Sequence, residues 1–136
     1  MIFLTRIEHF NAAHKLFNPD WDKEKNELIF GKCANENWHG HNYELHITVK
    51  GEVTADTGFV MDSKRLSLLI KQFVLEELDH KNLNLDVEFL KDRMCSTENV
   101  AIAIWQQLSS KLPQKVQLHS VKLYETPRIY VEYFGN

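Results

Sequence analysis

Cysteine is scarce in this sequence: Cys33 and Cys95 are the only two among 136 residues. Long apolar runs are missing as well. The opening "MIFLTRIEHF" lacks the apolar core of a signal peptide, and no stretch is long enough to span a bilayer. Two cysteines in such a chain are expected as free thiols rather than a disulfide, in a cytoplasmic protein that engages no membrane. There is no basic stripe. Lys and Arg number 16 against 19 Asp and Glu, a net charge of −3, which speaks against a nucleic-acid partner. It leaves room for a phosphorylated small substrate, because a local pocket can be basic on an acidic protein. Repeats, low-complexity tracts and Pro/Gly-rich linkers are absent, so residues 1–136 are expected to form one domain. What is present is an ordinary globular composition, 43% apolar and 26% charged, with more histidines than this length usually carries.

Residues 2–11 read as a strand of mixed alternation. Residues 18–38 are polar and read as a long excursion or loop, a feature more often functional than accidental. The clearest strand follows: His41, Tyr43, Leu45, Ile47 and Val49 share one face, and Asn42, Glu44, His46, Thr48 and Lys50 the other, up to Gly51. A turn is expected at 56–59. Asp62 or Ser63 can cap a helix running to about Leu78, with Leu66, Leu69, Ile70 and Phe73 on one face. Residues 79–86 read as a break. Ser96 or Thr97 caps a second helix carrying Val100, Ile104 and Leu108, with Glu98 in its first turn, where the helix dipole favours negative charge. Residues 116–125 and 128–134 read as two more strands around Pro127, which cannot donate to a ladder. Strand, strand, helix, helix, strand, strand is an α+β order with connections that allow antiparallel pairing.

Four places carry chemistry. His39 and His41 lie two apart; on an extended chain they face the same side, roughly 6.5–7 Å apart, and can converge on one ion. A catalytic zinc commonly takes three protein ligands, and His14, at the end of the first strand, is the candidate third. The alternative is a chance pair on a polar strand end. Cys33, six positions before His39, can be a fourth ligand, a small buried hydrophobe, or a thiolate near a metal; its polar loop disfavours burial. Cys95 reads as structural. In Asp79-His80 the carboxylate can orient an imidazole and raise its basicity, although adjacent residues do not easily face each other; helix C-terminal chemistry is the simpler alternative. Glu125 continues the apolar face of Val121 and Leu123, so it needs donors if it is buried and none if the strand simply ends in solvent. His9, His46 and His119 are assigned to surface or packing.

Taken together, "FNAAHKL", "FGKCANENWHGHNY", "TGFVMD", "LDHKNLN", "STENVAIAIW" and "VKLYET" resemble the 6-pyruvoyl tetrahydropterin synthase family, which includes the 6-carboxytetrahydropterin synthases of queuosine biosynthesis. The resemblance spans nearly the whole chain. It implies a tunnelling fold: a four-stranded antiparallel sheet with two helices on one face, closed into a barrel by trimers, two of which stack into a homohexamer with active sites where subunits meet. It implies zinc on His14, His39 and His41, a catalytic trio of Cys33, Asp79 and His80, and a pterin anchored by Glu125 and the main chain around Thr97.

The implied substrate is 7,8-dihydroneopterin triphosphate. Glu125 can accept two hydrogen bonds from the pterin's 2-amino group and ring N–H, a charged and directional match. Zinc serves as Lewis acid, Cys33 removes a proton, and His80, held by Asp79, returns one. No organic cofactor is needed. Lys15, Lys32, Lys81 and Arg93 are candidate partners for the triphosphate. The product is either 6-pyruvoyl tetrahydropterin or, with release of acetaldehyde, the 6-carboxy compound; the six-residue spacing from Cys33 to His39 resembles the pyruvoyl-forming enzymes. A reading of another class is a non-catalytic, zinc-stabilised pterin-binding module.

Overall fold

The computed structural model describes residues 1–136. Strand β1 (Ile2–His14) and strand β2 (His39–Gly51) pair antiparallel along their whole length, from Ile2 opposite Gly51 to His14 opposite His39. The first strand therefore runs three residues beyond its expected end at Asn11. Strands β4 (Gln117–Thr126) and β5 (Ile129–Tyr133) continue the sheet, β4 on β2 and β5 on β4, both antiparallel.

The sheet nevertheless has five strands and is mixed, where four antiparallel strands were expected. The two-residue β3 (Lys81–Asn82) pairs parallel to Ala12 and Ala13 at the free edge of β1, giving the order β3-β1-β2-β4-β5. The cause lies in the segment read as a break. The amides of His80 and Leu83 donate to the carbonyls of Asn11 and Ala13 at 2.6 and 2.8 Å, drawing this stretch onto the sheet edge.

There are three helices rather than two. The excursion 18–38 contains α1 (Lys23–Phe30), capped by Asp22, whose carboxylate accepts from the Lys25 amide at 2.8 Å. Its sequence gives no periodic signal because it buries no apolar stripe: Leu28 and Ile29 are exposed and only Asn26 is buried. Asn26 instead ties the excursion together, accepting from the Asn18 amide and donating to the Asn18, Trp21 and Asp22 carbonyls. Helix α2 covers 63–78. It is capped by Asp62, is α-helical at Ser63–Ile70, widens to a π-turn at Lys71–Leu75, and ends at Glu76–Leu78. Helix α3 (Thr97–Leu108) is capped by Ser96, which accepts from the Asn99 amide at 3.3 Å.

The two longer helices cover one face of the sheet. Between them lies a core of 25 buried residues, including Tyr43, Leu45, Ile47 and Val49 of β2, Leu66, Ile70, Val74 and Leu78 of α2, and Val100, Ile104 and Leu108 of α3. Each large side chain so buried contributes about 1.5–3 kcal/mol. The other face, with Phe3, Ile7 and Tyr130, is exposed in the single chain. No helix is long and apolar enough to cross a membrane.

Candidate metal centre

The covered face changes character towards the end of the β1–β2 hairpin where residues 15–38 connect the two strands. The phase that buries Leu45 and Tyr43 next brings in His41 and His39, and the register sets His14 directly across from His39. The three rings meet edge to face, with centroids 4.5 Å apart for His14–His39, 5.1 Å for His14–His41 and 5.0 Å for His39–His41. Glu125, near the end of β4, reaches the same point. Its Oε1 lies 3.0 Å from His41 Nε2 and 3.5 Å from His14 Nε2. One donor atom from each of the four falls within 4.8 Å of the others.

The protonation of this group is set by its surroundings. His14 is 1% exposed, and its Nδ1 lies 2.7 Å from the Cys95 carbonyl. A carbonyl only accepts, so Nδ1 carries the hydrogen and Nε2 presents a bare lone pair. Burial holds all three imidazoles below their ordinary range; the Cys95 bond and the Glu125 charge offset only part of that for His14. The rings are therefore neutral near pH 7, and their approaches to Glu125 are not salt bridges. His14 Nε2, His39 Nδ1 and His41 Nε2 are buried with no hydrogen-bond partner. Neutral, convergent, unpaired imidazole nitrogens beside a carboxylate are what a divalent cation requires, and this group can hold one.

Cys33 is not among the gathered donors. It sits half-buried in a 3₁₀ turn, Gly31–Ala34, whose Cys33 carbonyl accepts the Leu16 amide at 2.8 Å. Asp79 and His80 lie elsewhere again, on the outer edge of β1. Here the expectation that neighbours cannot face each other fails. His80 takes a left-handed backbone, φ 60°, which turns its Nδ1 to 2.9 Å from Asp79 Oδ1. That oxygen also accepts the Asn11 amide at 2.9 Å. The Asn11 bond, ahead of the one from His80, holds the Asp79 carboxyl below its ordinary range. The His80 side chain is 82% exposed. Thr97 is buried as the first residue of α3, two positions after Cys95.

Of the four cations proposed for phosphate, Lys15 stands over the Trp38 ring at 4.4 Å and lines a cleft of about 590 Å³ together with Lys23, Asn26 and Asn35. Lys32 and Lys81 are exposed, and Arg93 donates to Gln106 at 2.8 Å. His9 and His46 flank Glu44 at 3.3 and 2.6 Å on the open face, and His119 packs between Phe3 and Phe134.

Sequence reasoning missed one contributor. The Cys95 carbonyl acts through the main chain, so no side-chain pattern announces it; the Cys95 thiol itself is buried, which pushes it up to about 11. Tyr43, which shares the alternation of His39 and His41, is buried in the same layer with its hydroxyl unpaired.

Residues 3–136 match the family model described as 6-pyruvoyl tetrahydropterin synthase. The chain belongs to this family. The human 6-pyruvoyl tetrahydrobiopterin synthase is 44% identical to it, over 97% of this chain and 90% of the human protein. The protein of that name from Drosophila melanogaster is 41% identical, over 98% of this chain and 79% of its own length. Among solved structures, the 6-pyruvoyl tetrahydropterin synthase of Caenorhabditis elegans superposes with a TM-score of 0.92 at 37% identity, covering 99% of this chain and 96% of that one.

Proposed function

We propose that this protein is a zinc-dependent 6-pyruvoyl tetrahydropterin synthase, converting 7,8-dihydroneopterin triphosphate to 6-pyruvoyl tetrahydropterin with loss of triphosphate. The observation that carries the reading is the convergence of three neutral, unpaired imidazoles and Glu125 at the connected end of the β1–β2 hairpin. An all-nitrogen set of three, with a position left for another ligand, suits zinc and is the pattern of catalytic zinc sites. Identities of 41% and 44% with proteins named for the pyruvoyl product support that product over the 6-carboxy one.

His14, His39 and His41 would hold the zinc, which when bound would supply Lewis acidity to the substrate. The chain's own residues do the rest. Glu125 accepts from the 2-amino group and ring N–H of the pterin, with the buried start of α3 at Thr97 closing that side. Cys33, as a thiolate, takes a proton from the side chain. His80, fixed by Asp79, gives one back to the ring system. The side-chain carbons are oxidised while the dihydropterin ring is reduced, so the redox change is internal and no organic cofactor enters. Lys15, Lys32, Lys81 and Arg93 are the candidate cations for the departing triphosphate.

The exposure of His80 on the free edge of β1 fits a proton donor that serves the centre of a neighbouring subunit. The assembly we propose is the one the family resemblance implies: a homohexamer of two trimers, each chain a single domain over 1–136, working in the cytoplasm. Incubation of the zinc-loaded protein with 7,8-dihydroneopterin triphosphate, with product mass and acetaldehyde measured, tests the reading. Triphosphate and a product retaining all side-chain carbons are expected. Acetaldehyde with a carboxylated product replaces the assignment by the 6-carboxy enzyme, and absence of turnover overturns both.

A further inference from the structure

Four buried side-chain polar atoms in this protein have no hydrogen-bond partner. Three are the imidazole nitrogens that a cation satisfies. The fourth is the hydroxyl of Tyr43, in the same layer and fully buried. An unpaired buried hydroxyl is a standing cost that phenylalanine would avoid in the same space. Such an orphan in a native fold calls for a partner that arrives later.

The register identifies that partner. Glu44 pairs with Tyr124 across β2 and β4, so the next residues across are Tyr43 and Glu125, both turned to the covered face. On its other side Tyr43 stacks on Phe10, with centroids 4.7 Å apart and planes 11° apart, and the His41 ring stands edge-on at 5.5 Å. Packing thus fixes the phenol ring. Glu125 has lone pairs to spare: a carboxylate offers about four acceptor sites, and a pterin uses two. In the free protein Glu125 leans towards His41 instead.

We propose that Tyr43 is a positioning residue for the pterin: its hydroxyl donates to the Glu125 carboxylate in the loaded site and holds that carboxylate square to the incoming ring. This rests on the assignment of Glu125 as pterin acceptor. The hydroxyl acts through Glu125 and touches neither substrate nor metal.

The test is a double-mutant cycle of Tyr43→Phe and Glu125→Gln, read by calorimetric binding of neopterin to zinc-loaded protein and by thermal melting of the metal-free form. Tyr43→Phe should melt no lower than wild type and bind zinc as wild type does. It should bind neopterin about tenfold more weakly, the effect of losing one hydrogen bond to a charged acceptor. In the Glu125→Gln background the same change should have little further effect. Unchanged neopterin affinity overturns the inference, as does an equal loss in both backgrounds. A lower melting temperature shows that the hydroxyl already has a partner within the fold, and overturns it too. If wild type binds neopterin and Glu125→Gln binds it equally well, the assignment of Glu125 has failed, which is a separate result from failure at Tyr43.

Discussion

Removing the metal should leave this protein folded but measurably less stable. Only His14 of the three ligands is fully buried, and the centre lies at the last rung of the hairpin, where residues 15–38 leave the sheet, while the core of 25 buried residues lies between helices and sheet. Nothing in that core depends on an ion. The chelated protein should therefore give a cooperative melt. An ion that binds the native state alone adds RT ln(1 + [L]/Kd), about 2.7 kcal/mol at 100 times Kd. For a chain of 136 residues, 1 kcal/mol moves the midpoint by roughly 3–5 °C, so zinc at that excess should raise it by about 8–13 °C. Differential scanning fluorimetry of protein stripped by a chelator and then titrated with zinc measures the shift. His39→Ala removes one of the three nitrogens and should abolish most of it. Unfolding on chelation would make the site structural. An equal zinc shift in His39→Ala would show that the ion sits elsewhere, and the site would lose its physical basis.

Cys33→Ala should keep its zinc, since the sulfur is outside the gathered donors, while product formation falls by about 10²-fold or more, the usual contribution of a proton-transfer group; loss of the metal in that variant would place the sulfur in the coordination shell. Asp79→Asn reports on the sheet edge. The Asp79 carboxyl is held low in the folded chain, so its stabilising effect is complete above the unfolded value of about 3.9 and fades as pH falls through the lower folded value. Urea midpoints should show wild type ahead of Asp79→Asn at pH 7, with the gap closing below about pH 4; a gap constant from pH 7 to pH 3 would contradict the assigned bonds.

The elements that read clearly in the sequence are those whose burial is periodic. The alternation from His41 to Val49 appears as β2, and the helical spacing of Leu66 and Ile70 and of Val100, Ile104 and Leu108 marks α2 and α3. Elements held by polar or main-chain bonds left no such trace. Helix α1 is organised by Asn26 and Asp22 rather than an apolar stripe, and β3 exists because two amides find carbonyls on β1. The π-turn of α2 is likewise silent, since Ile70, Val74 and Leu78 keep an unbroken spacing of four through it. At the site, the spacing of His39 and His41 and the phase of Glu125 were legible because strands place side chains by parity. That His14 meets His39 follows from register, which needs the partner strand. The contact of Asp79 with His80 turns on one left-handed residue, and non-glycine residues seldom advertise that conformation.

His14 closes β1 and His39 opens β2, so the whole stretch from Lys15 to Trp38 leaves and re-enters the sheet at one rung of the ladder. The ligands clamp the neck of this excursion, not its contents. Lengthening, shortening or exchanging the intervening segment would leave the coordinating nitrogens where they are, while changing which groups flank them. Cys33 and Lys15 both belong to that detachable stretch. A graft of another relative's excursion onto this frame is thus a direct way to alter the chemistry performed without rebuilding the cation's cradle.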